Sequence, residues 1–384
     1  MTPRLVIVVG ARPNFVKVAP VWHAVQRIGG LELELLHTGQ HYDEALSDRF
    51  LSQLGLPEPD VFLGAGSGTH AEQTAAVLVG VERRLLERPA EAILVAGDVN
   101  STVAAALAAV KLGVRVAHLE AGLRSGDWSM PEEVNRAVCD RISDLLLCPT
   151  EGARENLVRE GVPDVRIAVV GNTMIDSLRR LLPAALAASP REALGLDAGG
   201  YVLVTLHRPS LVDAPERLGA TLGVLGEIAA TMPVVLPLHP RTRARLAQAG
   251  ADVPAGVMLL EPLGYGDFIA LEAEARLVIT DSGGVQEETS ALGVPCLTYR
   301  TTTERPITIE RGTNTLVGLD PDRLRDMALA ELGRQVASAA PPQIPLWDGE
   351  AGRRTARVLL STLQPSPVRN LGDGPLAHEE IGSE

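Results

Sequence analysis

Apolar residues come along this chain in two alternating rhythms. Short solid runs stand at 5–10 (LVIVVG), 31–39 (LELELLHTG), 92–98 (AILVAGD), 114–122 (VRVAHLEAG), 144–150 (DLLLCPT) and 166–172 (RIAVVGN). They are short, rich in Val, Ile and Leu, and close in turn-forming or polar residues, which predicts strands buried on both faces. Between them lie amphipathic, alanine-rich stretches such as FVKVAPVWHAVQRIG and STVAAALAAVKLG, which predict helices. The alternation implies βαβ units and parallel sheets covered on both faces. The rhythm then restarts at 201–207, 233–239, 257–262, 276–282 and 294–299. The fold class expected is therefore α/β, with two doubly wound Rossmann-like domains facing a cleft. Residues 1–173 are expected to form the N-terminal domain and 174–350 the C-terminal one, with a helix and hinge between Met174 and Gly200. Residues 351–364 read as a helix crossing back to the first domain, and 365–384 as a polar, Gly/Pro-punctuated disordered tail.

Open parallel sheets bind ligands beyond the carboxyl ends of their strands. Those ends here carry GARPNFVK, GDVNST, HLEAGLRSGDWSMPEEVNR, LHRPS, LHPRT, GYGDF and DSGGVQEE. In the first, Arg12 and Lys17 follow Gly10 into a helix start, where the dipole favours an anion; a solvated basic pair reads equally well. The motif is neither GxGxxG nor a Walker loop, which speaks against a dinucleotide or ATP site. In DSGGVQEE, Gly283 and Gly284 let backbone N–H groups approach phosphate oxygens, and Ser282 adds a hydroxyl. Glu288 lies about one helical turn further on, where a carboxylate suits the paired hydroxyls of a ribose.

Three carboxylates, Asp98, Glu120 and Glu132, fall at or just beyond first-domain strand ends. Carboxylates converging on one crevice shift each other's pKa, as acid–base chemistry requires. Glu132 and Arg136, four apart after Pro131, are expected to share a helix face. His207 ends a buried strand and is followed by Arg208; a core histidine is the plainer alternative. No HxxxH or paired-ligand spacing supports a metal.

Composition narrows the class. A net charge of −13 argues against a nucleic-acid partner. The three cysteines are scattered without a CxxC pair, so neither a zinc site nor a disulfide framework is expected. No apolar stretch reaches membrane-spanning length and no signal-peptide pattern appears, so a cytoplasmic protein is expected.

Taken in order, GARPNFVKVAP, TGQHYDE, GDVNST, HLEAGLRSGDWSMPEEVNR, GNTMIDSL, TLHRPS, LHPRT, TDSGGVQEETSALGVPCLTYR and TERP, over roughly residues 5 to 318, resemble the non-hydrolysing UDP-N-acetylglucosamine 2-epimerases. The resemblance implies a glycosyltransferase-B-like fold and an isomerase that interconverts UDP-N-acetylglucosamine and UDP-N-acetylmannosamine without NAD, metal or other cofactor. It implies Asp98, Glu120 and Glu132 as the acid–base set, with His207 assisting departure of the diphosphate. Arg12, Lys17 and Arg136 would contact substrate or UDP. Ser282, Gly283 and Gly284 would cradle phosphate and Glu288 the ribose, with Phe268 near the uracil and Arg305 approaching the nucleotide. Gln40, His41, Arg208 and His239 match parts of a second, regulatory substrate site. A homodimer supplying cell-envelope polysaccharide is the family expectation. The first motif more usually reads GTRPE-IK; here Ala11 and Asn14 stand in place of Thr and Glu. Alternatives are a 2-epimerase of a modified substrate such as a UDP-diacetamido-uronic acid, with Arg124 as the extra cation, a glycosyltransferase on the same fold, or a non-catalytic nucleotide-sugar binder.

Overall fold

The solid apolar runs become strands because helices cover both of their faces. In the computed structural model, which describes residues 2–39, 50–238, 240–249, 253–335 and 341–363, the first sheet holds β1 (Arg4–Val9), β2 (Glu32–His37), β3 (Val61–Phe62), β4 (Ala92–Ala96), β5 (Arg115–Leu119), β6 (Leu145–Cys148) and β7 (Ile167–Val169). Its order is β3-β2-β1-β4-β5-β6-β7. The second holds β8 (Val202–Thr205), β9 (Val234–Pro237), β10 (Val257–Leu260), β11 (Leu277–Thr280), β12 (Cys296–Thr298) and β13 (Asn314–Leu316), ordered β10-β9-β8-β11-β12-β13. Every pairing is parallel, and β1, β4 and β11 are buried at each position. Two Rossmann-like domains result. The edge strands β3 and β13 escape the sequence pattern because two or three residues show no period.

In the first domain the helices are α1 (Arg12–Ile28), α2 (His70–Glu87), α3 (Asn100–Lys111), α4 (Pro131–Ile142) and α5 (Glu151–Arg159). Then come α6 (Thr173–Ala187) and the short α7 (Pro190–Ala193). The second domain adds α8 (Pro209–Val212), α9 (Pro215–Ala229), α10 (Pro240–Ala249), α11 (Tyr265–Ala273), α12 (Gly283–Leu292), α13 (Ile307–Glu310) and α14 (Pro321–Leu332), and α15 (Ala351–Leu363) follows. Among the described residues no helix is long and apolar enough to cross a membrane.

Two helices tie the domains together. α6 packs on α1 of the first and on α11 and α12 of the second, and the Ser177 hydroxyl donates to the Val16 carbonyl at 2.6 Å. α15 returns to α1, setting Ala356, Leu359 and Leu363 into the first domain's core. Its first turn is held by Asp176, which accepts from the Ala351 and Gly352 N–H groups at 3.2 and 2.7 Å. The α1–α15 approach depends on Gly352, where a Cβ would lie 2.6 Å from the Pro20 backbone. Gly352→Ala should therefore destabilise the protein by roughly 1–3 kcal/mol. A thermal melt that does not move would show that the return helix is not held this tightly. The tail from 365 lies outside the described residues.

Candidate active site

In both sheets the strand order reverses at one place, between β1 and β4 and between β8 and β11. Crevices form where consecutive connections leave to opposite faces, and ligands occupy them. The four loops at those two points are the ones that begin GARPNFVK, GDVNST, HRPS and DSGG. Strand order therefore gathers these four loops at one point of each sheet, while Glu120 and Glu132 follow β5, one strand beyond the first domain's reversal.

The first domain's loops are stitched together. Gly10 has no room for a side chain, since a Cβ would stand 2.3 Å from the Ser101 Oγ. Asn14 accepts from the N–H groups of Gly10 and Ala11 at 3.0 and 2.9 Å and donates to the Ala96 carbonyl at 2.9 Å. A neutral amide can both accept and donate, so it binds the turn after β1 to the end of β4 in a way a carboxylate cannot.

Around these loops lies a buried ion network that spans the domains. Glu120 pairs with Lys17 of its own domain, and the Arg305 Nη2 of the second domain donates to its Oε1 at 2.8 Å. Burial pushes the Glu120 carboxyl up, but Lys17 and Arg305 outweigh it and hold the group below the usual range. Arg305 also pairs with Glu304 and stands 3.0 Å from the Glu287 Oε2. Buried Glu287, facing Arg305 but also Glu120, is raised to about 7. Asp98 pairs with Arg136, and its charge reaches Arg305. Glu120 has φ +73°, a left-handed backbone that costs about 1–3 kcal/mol for a residue with a Cβ.

In the second domain, Asp281 at the end of β11 accepts from the backbone N–H of His207 and Arg208 at 2.9 and 2.8 Å. It also faces the His207 Nδ1 at 2.9 Å. This fixes the ring's orientation. α12 starts at Gly283 with no side-chain cap on its first turn, so its leading N–H groups are aimed at whatever occupies the crevice. The Arg305 guanidinium lies over Gly283, where a Cβ would be 2.4 Å from its Nη1.

Between the domains a cavity of about 270 Å³ opens onto Arg12, Lys17, Phe268, Ser282, Gly284, Glu288 and Arg305. Glu288 accepts from the Tyr265 hydroxyl at 2.6 Å. Burial raises its carboxyl to about 7, against that hydrogen bond. Behind it Glu272 is wholly buried with both carboxyl oxygens unpartnered, and burial and Glu288 raise it well above the carboxylate range.

Not every sequence expectation lands as read. Glu132 and Arg136 both lie on α4, four residues apart, and the carboxylate that pairs with Arg136 there is Glu133, at 2.8 Å. Glu133 turns inward because the N–H groups of Ser125 and Gly126 meet it there. Glu132, on the same first turn, faces the cleft and acts on Arg208 across it. Arg124 is already committed, with two nitrogens on Glu160 at 2.8 and 2.7 Å and a third on Asp140 at 2.7 Å, so it is no spare cation for a substrate carboxylate. Arg208 donates to the Asp281 carbonyl at 2.8 Å and lies 3.8 Å from Glu304. Gln40, His41 and His239 lie outside the described residues. Sequence reasoning misses Asp281, Glu304, Glu287 and Glu133; Asp281 closes a buried strand and Glu133 and Glu287 stand in the first two turns of helices, which is a readable signal, whereas Glu304 lies in the loop after β12 and is marked only by its place in TERP.

Known proteins bear on this geometry. The model of the family described as UDP-N-acetylglucosamine 2-epimerase matches residues 23–360. The UDP-N-acetylglucosamine 2-epimerase of Methanocaldococcus jannaschii is 40% identical over 366 residues, covering 93% of this chain and 98% of that protein. The UDP-2,3-diacetamido-2,3-dideoxy-D-glucuronate 2-epimerase of Pseudomonas aeruginosa is 42% identical over 336 residues, covering 87% and 93%. The crystal structure of the M. jannaschii enzyme in complex with UDP-GlcNAc and UDP superposes with a TM-score of 0.87 at 39% identity, covering 93% of this chain and 99% of that one.

Proposed function

The chain belongs to the UDP-N-acetylglucosamine 2-epimerase family, and from that membership we propose that it interconverts UDP-N-acetylglucosamine and UDP-N-acetylmannosamine. A base removes the C2 proton, the C1–oxygen bond breaks to release UDP and leave a glycal, and UDP then adds back as a proton reaches the opposite face of C2. The observation that carries this reading is the Arg305–Glu120 pair, which sets a cation beside the helix tip of one domain against a carboxylate of the other.

The residue types suit each demand. UDP must be held after its bond breaks, and the N–H groups at the start of α12 with Arg12, Lys17 and Arg305 supply donors and charge for it. Diphosphate competes for Lys17 and Arg305, which otherwise depress Glu120, so its arrival makes that carboxylate more basic. Asp98 and Glu132 complete the acid–base set, Arg136 orients Asp98, and His207, steadied by Asp281, assists the leaving oxygen. Phe268 lies against the base and Glu288 takes the ribose hydroxyls.

Two hydroxyls donating to Glu288 favour its ionised form. With that carboxyl near pH 7, UDP should bind up to about tenfold more tightly at pH 8 than at pH 6. Titration calorimetry reads this, and Glu288→Gln should flatten the dependence. A dependence that survives the substitution would place the titrating group elsewhere.

The substrate is settled by a panel. Incubation with UDP-N-acetylglucosamine should yield the manno epimer by NMR, faster than any conversion of a UDP-diacetamido-uronic acid. Arg124's full commitment favours the neutral sugar. No epimer from any UDP-sugar, with folded protein, would overturn the reading. We also infer a cytoplasmic homodimer serving polysaccharide synthesis. Val79 and Leu86, exposed two turns apart on α2, support a self-association face, and sedimentation should give about twice 40.6 kDa.

A further inference from the structure

At the end of β5, His118 is wholly buried. Its Nδ1 lies 2.7 Å from the Asp140 Oδ1 and its Nε2 2.8 Å from the Gly97 carbonyl oxygen. A carbonyl oxygen can only accept. Asp140 already accepts from the Gly122 N–H at 3.1 Å and from the Arg124 Nη1 at 2.7 Å, so it too is an ionised acceptor. A neutral imidazole has one N–H and one lone pair, and would set that lone pair against an oxygen. Both ring nitrogens must therefore carry protons.

The same contacts frame two of the carboxylates. Glu120, with its left-handed backbone, sits between His118 and Gly122, both of which bind Asp140. Gly97 directly precedes Asp98, and its N–H donates to the Leu119 carbonyl at 3.0 Å. We propose that His118 is a permanent imidazolium which, with Asp140, clamps the 97–98 and 118–122 turns and so positions Asp98 and Glu120 for proton transfer. The positioning half rests on the acid–base reading above; the protonation half does not.

The groups around the ring agree with this. Asp140 and Cys139 face it from α4, the Gly97 carbonyl from the end of β4, with Arg124 beyond Asp140 and Lys17 and Glu120 beyond Gly97. Burial pulls the imidazolium down, but Cys139 and Asp140 more than offset it and raise it well above its ordinary range. Asp140 is correspondingly held low; burial pushes it up and His118 and Arg124 outweigh that. Because the folded value is raised, the clamp is intact at neutral pH and is lost only as pH rises through that value.

The test is nitrogen NMR on the full-length protein labelled with ¹⁵N-histidine, with His118 assigned by comparison with His118→Gln. Both nitrogens should be protonated from acid to mildly alkaline pH. A single protonated nitrogen at neutral pH overturns the proposal. Asp140→Asn keeps the shape and removes the charge. It should lower kcat on the order of 10²-fold, leave KM unchanged and move the alkaline limb of kcat to lower pH. An Asp140→Asn enzyme with wild-type kcat and an unmoved limb overturns the positioning role even if the imidazolium stands. A doubly protonated His118 in a protein that makes no epimer would leave the clamp intact and remove the epimerase reading instead.

Discussion

Glu120→Gln is expected to lower kcat by between about 10² and 10⁴-fold while UDP still binds. The amide keeps the shape of the side chain and can accept a hydrogen bond, but cannot take a proton from C2. The carboxylate also neutralises two buried cations, Lys17 and Arg305. Removing one partner of a buried ion pair typically costs about 3–5 kcal/mol. The free variant should therefore melt earlier than the wild type. Diphosphate then supplies the negative charge those cations have lost, so UDP should raise the variant's melting temperature by more than it raises the wild type's. Rate, melting temperature and UDP-induced shift are read from one preparation. A variant turning over at the wild-type rate would remove Glu120 from the chemistry.

Gly283→Ala is the second large effect, and acts on binding. A Cβ there would stand 2.4 Å from the Arg305 Nη1 and 2.7 Å from the Glu304 Oε1. Neither can yield cheaply. Glu304 is held by Arg300 at 2.8 Å, and Arg305 by Glu120, Glu287 and Glu304. Pushing Arg305 aside breaks its ion pair with Glu120 across the cleft and withdraws a cation from the cavity. UDP affinity should fall by about 10²-fold, roughly 2.7 kcal/mol. Gly284→Ala is the internal control. Its Cβ would meet only the Met174 methyl at 2.9 Å, the end of a flexible side chain, so its effect on UDP affinity should be several-fold smaller. Equal losses in the two variants would show that the helix tip, rather than Arg305, governs affinity.

Much of this arrangement was legible in the sequence because it depends on strand ends. Buried parallel strands announce themselves as solid apolar runs, and the residues just after each run must lie at one edge of its sheet. That logic points Arg12, Lys17, Ser282, Gly284 and Glu288 to the crevice, and all five line the cavity between the domains. The features it missed depended on contacts between segments far apart in sequence. The i,i+4 spacing put Glu132 on one helix face with Arg136 and named no partner for the guanidinium. The N–H groups of the 125–126 turn select Glu133, and nothing in the PEEVNR spacing reports where that turn lies. Arg124 looked available because its partners, Asp140 and Glu160, stand 16 and 36 residues away. Asp281 was readable in principle: a carboxylate closing an apolar strand next to SGG has few roles besides binding backbone N–H groups across the crevice. Glu272 left a fainter mark, a carboxylate set directly after the apolar run FIAL in FIALEAEARL.

The mechanism stands or falls on proton exchange at one sugar carbon. UDP-N-acetylglucosamine should be incubated with the protein in heavy water and C2 monitored by proton NMR and mass spectrometry. The expected result is one deuterium at C2 in the manno epimer and in recovered gluco substrate, with neither appearing in Glu120→Gln over the same time. Epimer formed with its original C2 hydrogen retained would contradict the mechanism.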